Sequence, residues 1–168
     1  MSRAVVGFES MWGNTEKIAR AVARGLGESM DVEVDDVASR PAPPGDDVAL
    51  LVAGGPTHAF SMTRRGTRTD ARTRGASQGD VEVGLREWLD ALPDGRHPQR
   101  VATFDTRVDT VRHVPGSAAR GAARKARRHG YPTGASQSFW VGDSAGPLLE
   151  GELERAAEWG RRLAAGIR

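Results

Sequence analysis

The sequence predicts a three-layer α/β fold, in which a five-stranded parallel sheet carries helices on both faces. The first observation is a series of short apolar runs, of which 3–8, 48–53 and 101–104 are the clearest. The second is a set of amphipathic segments between those runs, with apolar residues three or four positions apart. Buried strands that alternate with amphipathic helices are typical of parallel sheets covered on both faces. The length of 168 residues is enough for one domain, which we expect over 1–168.

Taken in chain order, the pattern predicts strands and helices that alternate along most of the chain. A first helix is indicated by Ile18, Val22 and Leu26, which lie four positions apart. The second helix is either missing or reduced to a proline-rich loop at 41–45. The full order is a strand at 3–8, a helix at 16–27, strands at 31–37 and 48–53, a long polar loop to about 79, a helix at 81–92, a strand at 101–104, a helix at 117–129, a strand at 136–141 and a helix from about 147.

The connection rules for parallel sheets predict where a ligand binds. Right-handed crossovers between five parallel strands favour the order 2-1-3-4-5, in which the direction of winding reverses between strands 1 and 3. Ligands bind at such a reversal, outside the carboxyl ends of the strands. We therefore expect three loops to meet there: 10–15, the segment from Gly54 onward and the segment from Asp105 onward.

The composition excludes several kinds of site. The chain has no cysteine, which rules out disulfides, thiolate metal sites, cysteine nucleophiles and iron–sulfur clusters. The apolar run at the start is too short for a signal peptide or a membrane span, so we expect a cytoplasmic location without a membrane partner. The formal charge of only +2 gives no indication of nucleic acid binding. The four histidines show no metal-ligand spacing.

The segment Ser10-Met11-Trp12-Gly13-Asn14-Thr15 joins the first predicted strand to the first predicted helix. The first turn of a helix carries unpaired N–H groups and a partial positive charge, so an anion is stabilised there. Gly13 allows the backbone to approach that anion closely, and Ser10, Asn14 and Thr15 add side-chain donors. The chain has no Walker lysine and no Gly-x-Gly-x-x-Gly motif. These observations favour a phosphate monoester over a nucleoside triphosphate or a dinucleotide.

The hydroxyl-x-x-Gly-Asn-Thr pattern after the first strand resembles the phosphate loop of the flavodoxin family. The longer string 9–19 is most similar to the flavodoxin domain of flavodiiron proteins. Gly54-Gly55-Pro56-Thr57 and the segment 101–106 resemble that family's second and third flavin loops. The resemblance covers the chain from end to end, as in a short-chain flavodoxin. It implies a flavodoxin-like fold, bound flavin mononucleotide (FMN) and a role in electron transfer.

The resemblance also assigns residues to the cofactor. The phosphate is expected on side-chain and backbone donors of the first loop, namely Ser10, Met11, Trp12, Gly13, Asn14 and Thr15. The isoalloxazine ring is expected between the other two loops. Its contacts are Pro56, Thr57, His58, Ala59 and Phe60 in the second loop and Asp105, Thr106 and Arg107 in the third.

Aromatic residues usually clamp the ring in flavodoxins, and a tyrosine of the third loop is often one of them. The only tyrosine here is Tyr131, which lies outside that loop. Trp12, His58 and Phe60 are the alternatives for stacking on the ring. His58 is also of a residue type that titrates near neutral pH.

Two charged features have both a functional and a structural interpretation. Asp105 and Arg107 either tune the charge of the reduced ring or form a surface ion pair that holds the third loop. The segment 64–74 contains five arginines and almost no apolar residue. We interpret it as a mobile solvated loop, with docking of an acidic redox partner protein or of a phosphorylated cofactor as the alternative.

Two other functions are compatible with the sequence. An FMN-dependent NAD(P)H or quinone oxidoreductase would use the arginines of 64–74 to bind its second substrate, whereas an electron carrier would depend on a reductase protein. A flavodoxin-fold binding module without flavin is suggested by the lack of an aromatic clamp in the third loop. The visible spectrum of the purified protein separates this last function from the other two.

Overall fold

Five long strands form a parallel sheet in a computed structural model, which describes residues 1–40 and 43–167. Their order is β2-β1-β3-β5-β6, and the two-residue strand β4 pairs antiparallel with β3. This order confirms the prediction, because β5 and β6 are the fourth and fifth parallel strands. Pro41 of the predicted proline-rich loop lies outside the described residues. The strands are β1 (Arg3–Phe8), β2 (Asp31–Asp36), β3 (Val48–His58), β4 (Ser61–Met62), β5 (Arg100–Val108) and β6 (Thr133–Val141).

Helices cover both faces of the sheet and so complete the predicted three layers. One layer contains α1 and α5, and the other contains α3 and α4. Within the described ranges, no helix is both long and apolar enough to span a membrane. The helices are α1 (Asn14–Leu26), α2 (Arg65–Thr73), α3 (Leu85–Asp90), α4 (Ala118–Arg128) and α5 (Glu152–Ala165).

Small residues and aromatic residues pack the layer of α1 and α5. A Cβ atom at Gly25 would collide with the carbonyl oxygen of Ala157, and one at Gly160 with that of Val22, so these glycines let the two helices touch. Beneath them, Phe104, Phe139 and Trp159 form an edge-to-face cluster with ring centroids 6.0–6.2 Å apart. This packing fixes α1, whose first turn faces the carboxyl edge of the sheet.

The third strand is longer than the sequence predicted. We expected it to end before Gly54-Gly55-Pro56, but β3 continues through these residues to His58. A Cβ atom at Gly54 would collide with the ring of Phe104 on the neighbouring strand, so this glycine serves a close approach within the sheet rather than a turn. The extension carries the second loop beyond the edge of the sheet.

Two helices begin later than predicted. The predicted helix at 81–92 is the short α3, because Asp80 first accepts the N–H of Glu82 in a turn (2.7 Å). The last helix begins at Glu152 rather than near 147, since Leu148 forms a bridge to Val141 of β6.

The expectation of a mobile solvated loop at 64–74 is wrong. Residues 65–73 form α2, and Arg68 within it is completely buried. The Arg68 guanidinium donates to the Thr63 hydroxyl (2.8 Å), which itself donates to the Glu9 carboxylate at the end of β1 (2.6 Å). Arg68 also pairs with Glu87 of α3. A buried ionic network therefore holds α2 on the carboxyl edge of the sheet.

Candidate functional site

The register of the sheet brings three loops together at one edge. Phe8 of β1 lies beside Gly54 of β3, and Gly54 lies beside Phe104 of β5. The first loop leaves the sheet after Phe8, whereas β3 and β5 stay paired as far as Pro56 and Thr106. The three segments therefore meet at this edge, as the winding reversal at β1 and β3 predicts.

The first loop ends in a helix N-terminus whose N-cap residue, Gly13, has no side chain to cap it. Gly13 precedes α1 in a left-handed conformation (φ 97°), and no side chain of the described residues caps the helix start. The opening N–H groups of a helix have no acceptor within it. Asn14 and Thr15 of this first turn are nevertheless buried. A buried, uncapped helix start offers donors and partial positive charge to an anion.

Three hydroxyl groups surround this helix start. The Ser10 hydroxyl accepts a hydrogen bond from the Gly13 N–H (3.1 Å), which leaves its own proton free to donate. The hydroxyls of Thr15 and Thr106 lie 2.8 Å apart, so the first and third loops meet directly. Both threonines are buried, at 2% and 5% exposure. The set consists of neutral donors, with no cation among them.

A recess of about 40 Å³ lies against Thr15 and Thr106, and it is larger than the about 10–15 Å³ that a single water needs. Its wall includes Thr15, Pro56 and Thr106, one residue from each of the three predicted loops. A fourth segment, which follows β6, also reaches it: Ser144 lines the recess, and the Asn14 side chain packs against the backbone of Gly146. The sequence had not indicated this segment.

A larger cavity of about 320 Å³ adjoins the recess and shares Trp12, Thr57 and His58 with it. This volume falls within the range of small-molecule sites. One side is built by α2, through residues that the sequence analysis had not assigned to a site. The remaining lining residues are Ala59, Phe60, Thr67, Asp70, Ala71, Arg74, Arg107, Val108, Val111 and Ser144, of which Val108 and Ser144 also line the recess.

The second loop is a tight hairpin turn between β3 and β4. Its two central residues, Ala59 and Phe60, both have left-handed backbone conformations, with φ of 48° and 62°. Such turns favour glycine, which lacks a Cβ, and asparagine, whose short polar side chain can bond to the local backbone, so Ala59 and Phe60 are strained there. The turn holds Phe60 at the cavity mouth with 47% of its surface exposed.

Asp105 lies behind the cavity wall rather than on it. Its Oδ2 accepts hydrogen bonds from the N–H of Ala119 (3.0 Å) and from the hydroxyl of Thr57 (3.2 Å). Its Oδ1 is buried and has no hydrogen-bond partner among the described residues. Burial raises the pKa of this carboxyl group. Asp105 thus connects the second loop, through Thr57, to the first turn of α4.

Arg107 lines the cavity without a carboxylate partner. Its guanidinium donates to the carbonyl of Val114 (2.8 Å) and lies 5.7 Å from the ring centre of Trp140. In the part of the chain that the structure describes, no ion pair joins it to Asp105, so the interpretation of these two residues as a surface ion pair is not supported. Its Nε is buried and has no hydrogen-bond partner among those residues. Because Arg107 lines the cavity, its cation lies within reach of a ligand there.

The surroundings of His58 favour its uncharged form. Burial is the main cause of its lowered pKa, and the charges of Arg68 and Arg74 lower that pKa further. The imidazole can therefore accept a hydrogen bond from a ligand with one ring nitrogen and donate one with the other.

The structure brings together nearly all the residues that the sequence singled out. Two of the predicted site residues belong to the helix start without lining the recess: Ser10 and Gly13. The recess is lined by Met11, Asn14, Thr15, Pro56 and Thr106, the cavity by Ala59, Phe60 and Arg107, and both by Trp12, Thr57 and His58. Asp105 lies behind the cavity wall. Sequence reasoning missed Thr67, Asp70 and Ala71, since no apolar periodicity marked α2 as a helix. It considered Arg74 only in the alternative in which the arginines of 64–74 bind a second ligand. It also missed Val108 and Ser144, each of which lies just beyond a predicted element.

Comparisons with known proteins agree with this architecture at the level of the fold. No family model matches the chain, and no curated protein matches its sequence. Solved structures do match it over almost its whole length. Flavodoxin 2 of Bacillus cereus is 16% identical with a TM-score of 0.70, over 98% of this chain and 99% of that one.

Two further structures give the same result. A flavodoxin of Streptococcus pneumoniae TIGR4 is 18% identical with a TM-score of 0.65, over 98% of this chain and 99% of that one. A diflavin flavoprotein A3 of Nostoc is 17% identical with a TM-score of 0.54, over 99% and 93%. Structural similarity at such low sequence identity establishes the fold alone, and the protein has the flavodoxin fold.

Proposed function

We propose that this protein binds FMN without a covalent bond and acts as an electron carrier, as one domain over its described length. The observation that carries the proposal is the uncapped, buried start of α1, which adjoins a cavity large enough for a small planar ligand. A helix start of this kind suits a terminal phosphate, and the cavity suits the ring attached to it.

The residues present fit the phosphate end of FMN. The first-turn N–H groups of α1 and the hydroxyls of Ser10, Thr15 and Thr106 would hold the phosphate. Charge-assisted hydrogen bonds from neutral donors can carry this interaction without a lysine or arginine. Gly13 gives the backbone the left-handed conformation that lets its neighbours approach the anion.

The residues around the larger cavity fit the ring end. Trp12 and Phe60 supply aromatic surface, Val108 and Val111 supply aliphatic surface, and Arg107 supplies a cation. When bound, FMN supplies reversible uptake of electrons, and the protein supplies its anchoring, orientation and electrostatic surroundings. Asp105 is a positioning residue in this scheme, because it acts through its hydrogen bond from Thr57.

The test is a titration of the flavin-free protein with FMN and with riboflavin, which lacks the phosphate. Replacing both Ser10 and Thr15 by alanine is expected to weaken FMN binding more than tenfold, since hydrogen bonds to charged groups contribute about 1.5–3 kcal/mol each. Riboflavin affinity should change less than threefold. The control is Ser2→Ala with Ser29→Ala, which removes two exposed hydroxyls away from the site. Equal losses for FMN and riboflavin would show that the phosphate binds elsewhere.

A reductase that oxidises NAD(P)H itself is the second candidate function. It is favoured by Arg74 and Arg107, two cavity arginines for which no carboxylate lies within 4 Å in the described ranges. These cations could bind an anionic second substrate. Anaerobic mixing with NADPH separates the two functions, because a carrier would oxidise the nucleotide only after a reductase protein is added.

A further inference from the structure

An apolar patch lies exposed at the mouth of the larger cavity. Phe60 and Val114 are two of the few large apolar side chains that stand out of the described surface, with 47% and 40% of their surface exposed. The two segments are in contact, since a Cβ atom at Gly116 would lie only 2.5 Å from the carbonyl oxygen of Phe60. Arg107 fixes the Val114 segment through the carbonyl of Val114.

The hairpin turn exposes Phe60 to solvent and has a strained backbone. Two consecutive residues with side chains, Ala59 and Phe60, occupy left-handed conformations. Strain of this kind typically persists at positions used for ligand or partner contact. Burying Phe60 would remove an exposed aromatic side chain from water, yet the turn directs it outward.

A basic rim, formed by Arg64, Arg120 and Arg124, borders this apolar patch. Arg120 and Arg124 lie one turn apart on the exposed side of α4, so they share a face. Between them, Gly121 packs against Met62, which is two residues from Arg64. None of the three has a carboxylate within 4 Å in the parts of the chain described by the structure.

Two carboxylates of α3 near the rim are already paired with cations. Glu87 pairs with Arg68, and Asp90 pairs with Lys125 (2.5 Å). The opposite layer differs, because Arg155, Arg161 and Arg162 of α5 all pair with glutamates. The unpaired arginines of the rim therefore add positive charge on the side of the cavity mouth, although the whole chain carries a formal charge of only +2 and Asp70 lies in the cavity wall.

We propose that the Phe60–Val114 patch and the basic rim form a docking surface for an acidic redox protein. An apolar centre with a charged border is the usual anatomy of a transient protein interface. Opposite charges on the two rims would steer the partner toward the cavity mouth. The identification of the partner as a redox protein rests on the proposed function, whereas its acidity and the location of the surface do not.

The test uses the full-length, FMN-treated, ¹⁵N-labelled protein and measures its amide shifts during titration with a plant-type ferredoxin, an acidic one-electron carrier. The shifts are expected at 57–64 and 107–124, and affinity should fall at least tenfold between 20 and 300 mM salt. Arg120→Glu with Arg124→Glu should weaken binding more than tenfold. Arg96→Glu with Arg162→Glu, an equal charge change at exposed sites away from the patch, should weaken it less than threefold.

A second pair of variants tests the apolar centre. Phe60→Ser should weaken ferredoxin binding at least fivefold, whereas Leu153→Ser, at an equally exposed apolar residue of α5, should leave it unchanged. The proposal would be overturned if both charge variants lost ferredoxin affinity equally, if the amide shifts fell outside the patch, or if no binding occurred at low salt. Tighter binding to single-stranded DNA than to the ferredoxin would also overturn it, since the rim would then attract any polyanion.

Flavin content is measured on the same samples, which separates the two proposals. Ferredoxin binding at the patch by a protein that takes up no FMN would refute the carrier function and support the docking surface. Uptake of FMN without ferredoxin binding would refute the docking surface alone.

Discussion

Asp105 supports the wall of the cavity but does not line it. Its position after the predicted strand at 101–104 suggested the polar edge of a ring, yet Asp105 lies within β5 and its carboxyl group is completely buried at the start of α4. One of its oxygens has no hydrogen-bond partner within the described chain, which makes the charged form costly. Asp105 of β5 therefore connects Thr57 of the second loop with the start of α4.

The pH dependence of stability tests this assignment. Because burial raises the pKa of Asp105 in the folded protein, the folded state binds a proton that the unfolded state releases above about pH 3.9. The protonated carboxyl group of Asp105 therefore adds to the free energy of unfolding below that pH. This contribution is lost as the pH rises toward the pKa of Asp105 in the folded protein. Urea unfolding should therefore show wild type losing stability relative to Asp105→Asn between pH 4 and 7. A constant difference would contradict the assignment.

Arg107 should influence the flavin through its charge. Reduction adds negative charge to the ring, so a nearby cation that lacks a carboxylate favours the reduced state. Arg107→Met is expected to lower the midpoint potential of bound FMN by about 10–30 mV, which corresponds to roughly 0.5–1.4 kcal/mol. Arg112→Met is the control, because Arg112 already pairs with Asp109. A shift of equal size in both variants, measured by spectroelectrochemistry, would contradict this role.

At the scale of elements, α2 is the part of the fold that decides the shape of the cavity. It contributes Thr67, Asp70 and Ala71 to the wall, although little apolar surface holds it in place. Its attachment depends on Arg68, which reaches the Glu9 carboxylate through Thr63. Gly84 permits this arrangement, because a Cβ atom there would lie 2.5 Å from Glu9 Oε1 and 2.6 Å from the Arg68 guanidinium.

Removing the Arg68 charge should loosen α2 and destabilise the protein. Arg68→Met leaves the Glu9 carboxylate buried without its cation, a change that costs about 3–5 kcal/mol in comparable sites. Arg65→Met breaks only an exposed pair with Glu82 and should cost less than about 1 kcal/mol. Urea unfolding of both variants gives the comparison, and similar losses would show that the buried network does not anchor α2.

The elements also show how far the sequence could be interpreted. The buried strands and amphipathic helices are visible because burial imposes a periodicity on neighbouring residues. No such periodicity marks α2, whose stability depends on contacts with Glu9, over fifty positions away. Gly54 suggested a turn, but its role depends on Phe104 of another strand. The helix start at 10–15 could be predicted, since its donors are adjacent in the chain.

For the molecule as a whole, the sheet places a neutral anion site, an adjoining cavity and a positively charged surface at one edge. The recess and the cavity share Trp12, Thr57 and His58, so one ligand can extend through both. The basic rim lies beside the cavity mouth, where a partner would come close to such a ligand. The function proposed for the recess and the cavity depends on one claim, that the start of α1 holds the phosphate of a mononucleotide.

A crystal structure of the protein grown with FMN tests this claim most directly. The claim predicts phosphate oxygens within 3.2 Å of the N–H groups at the start of α1 and of the Ser10 and Thr15 hydroxyls. It also predicts the ring in the cavity next to Trp12. Phosphate density elsewhere, or a helix start filled by the protein's own side chains while FMN is bound, would contradict it.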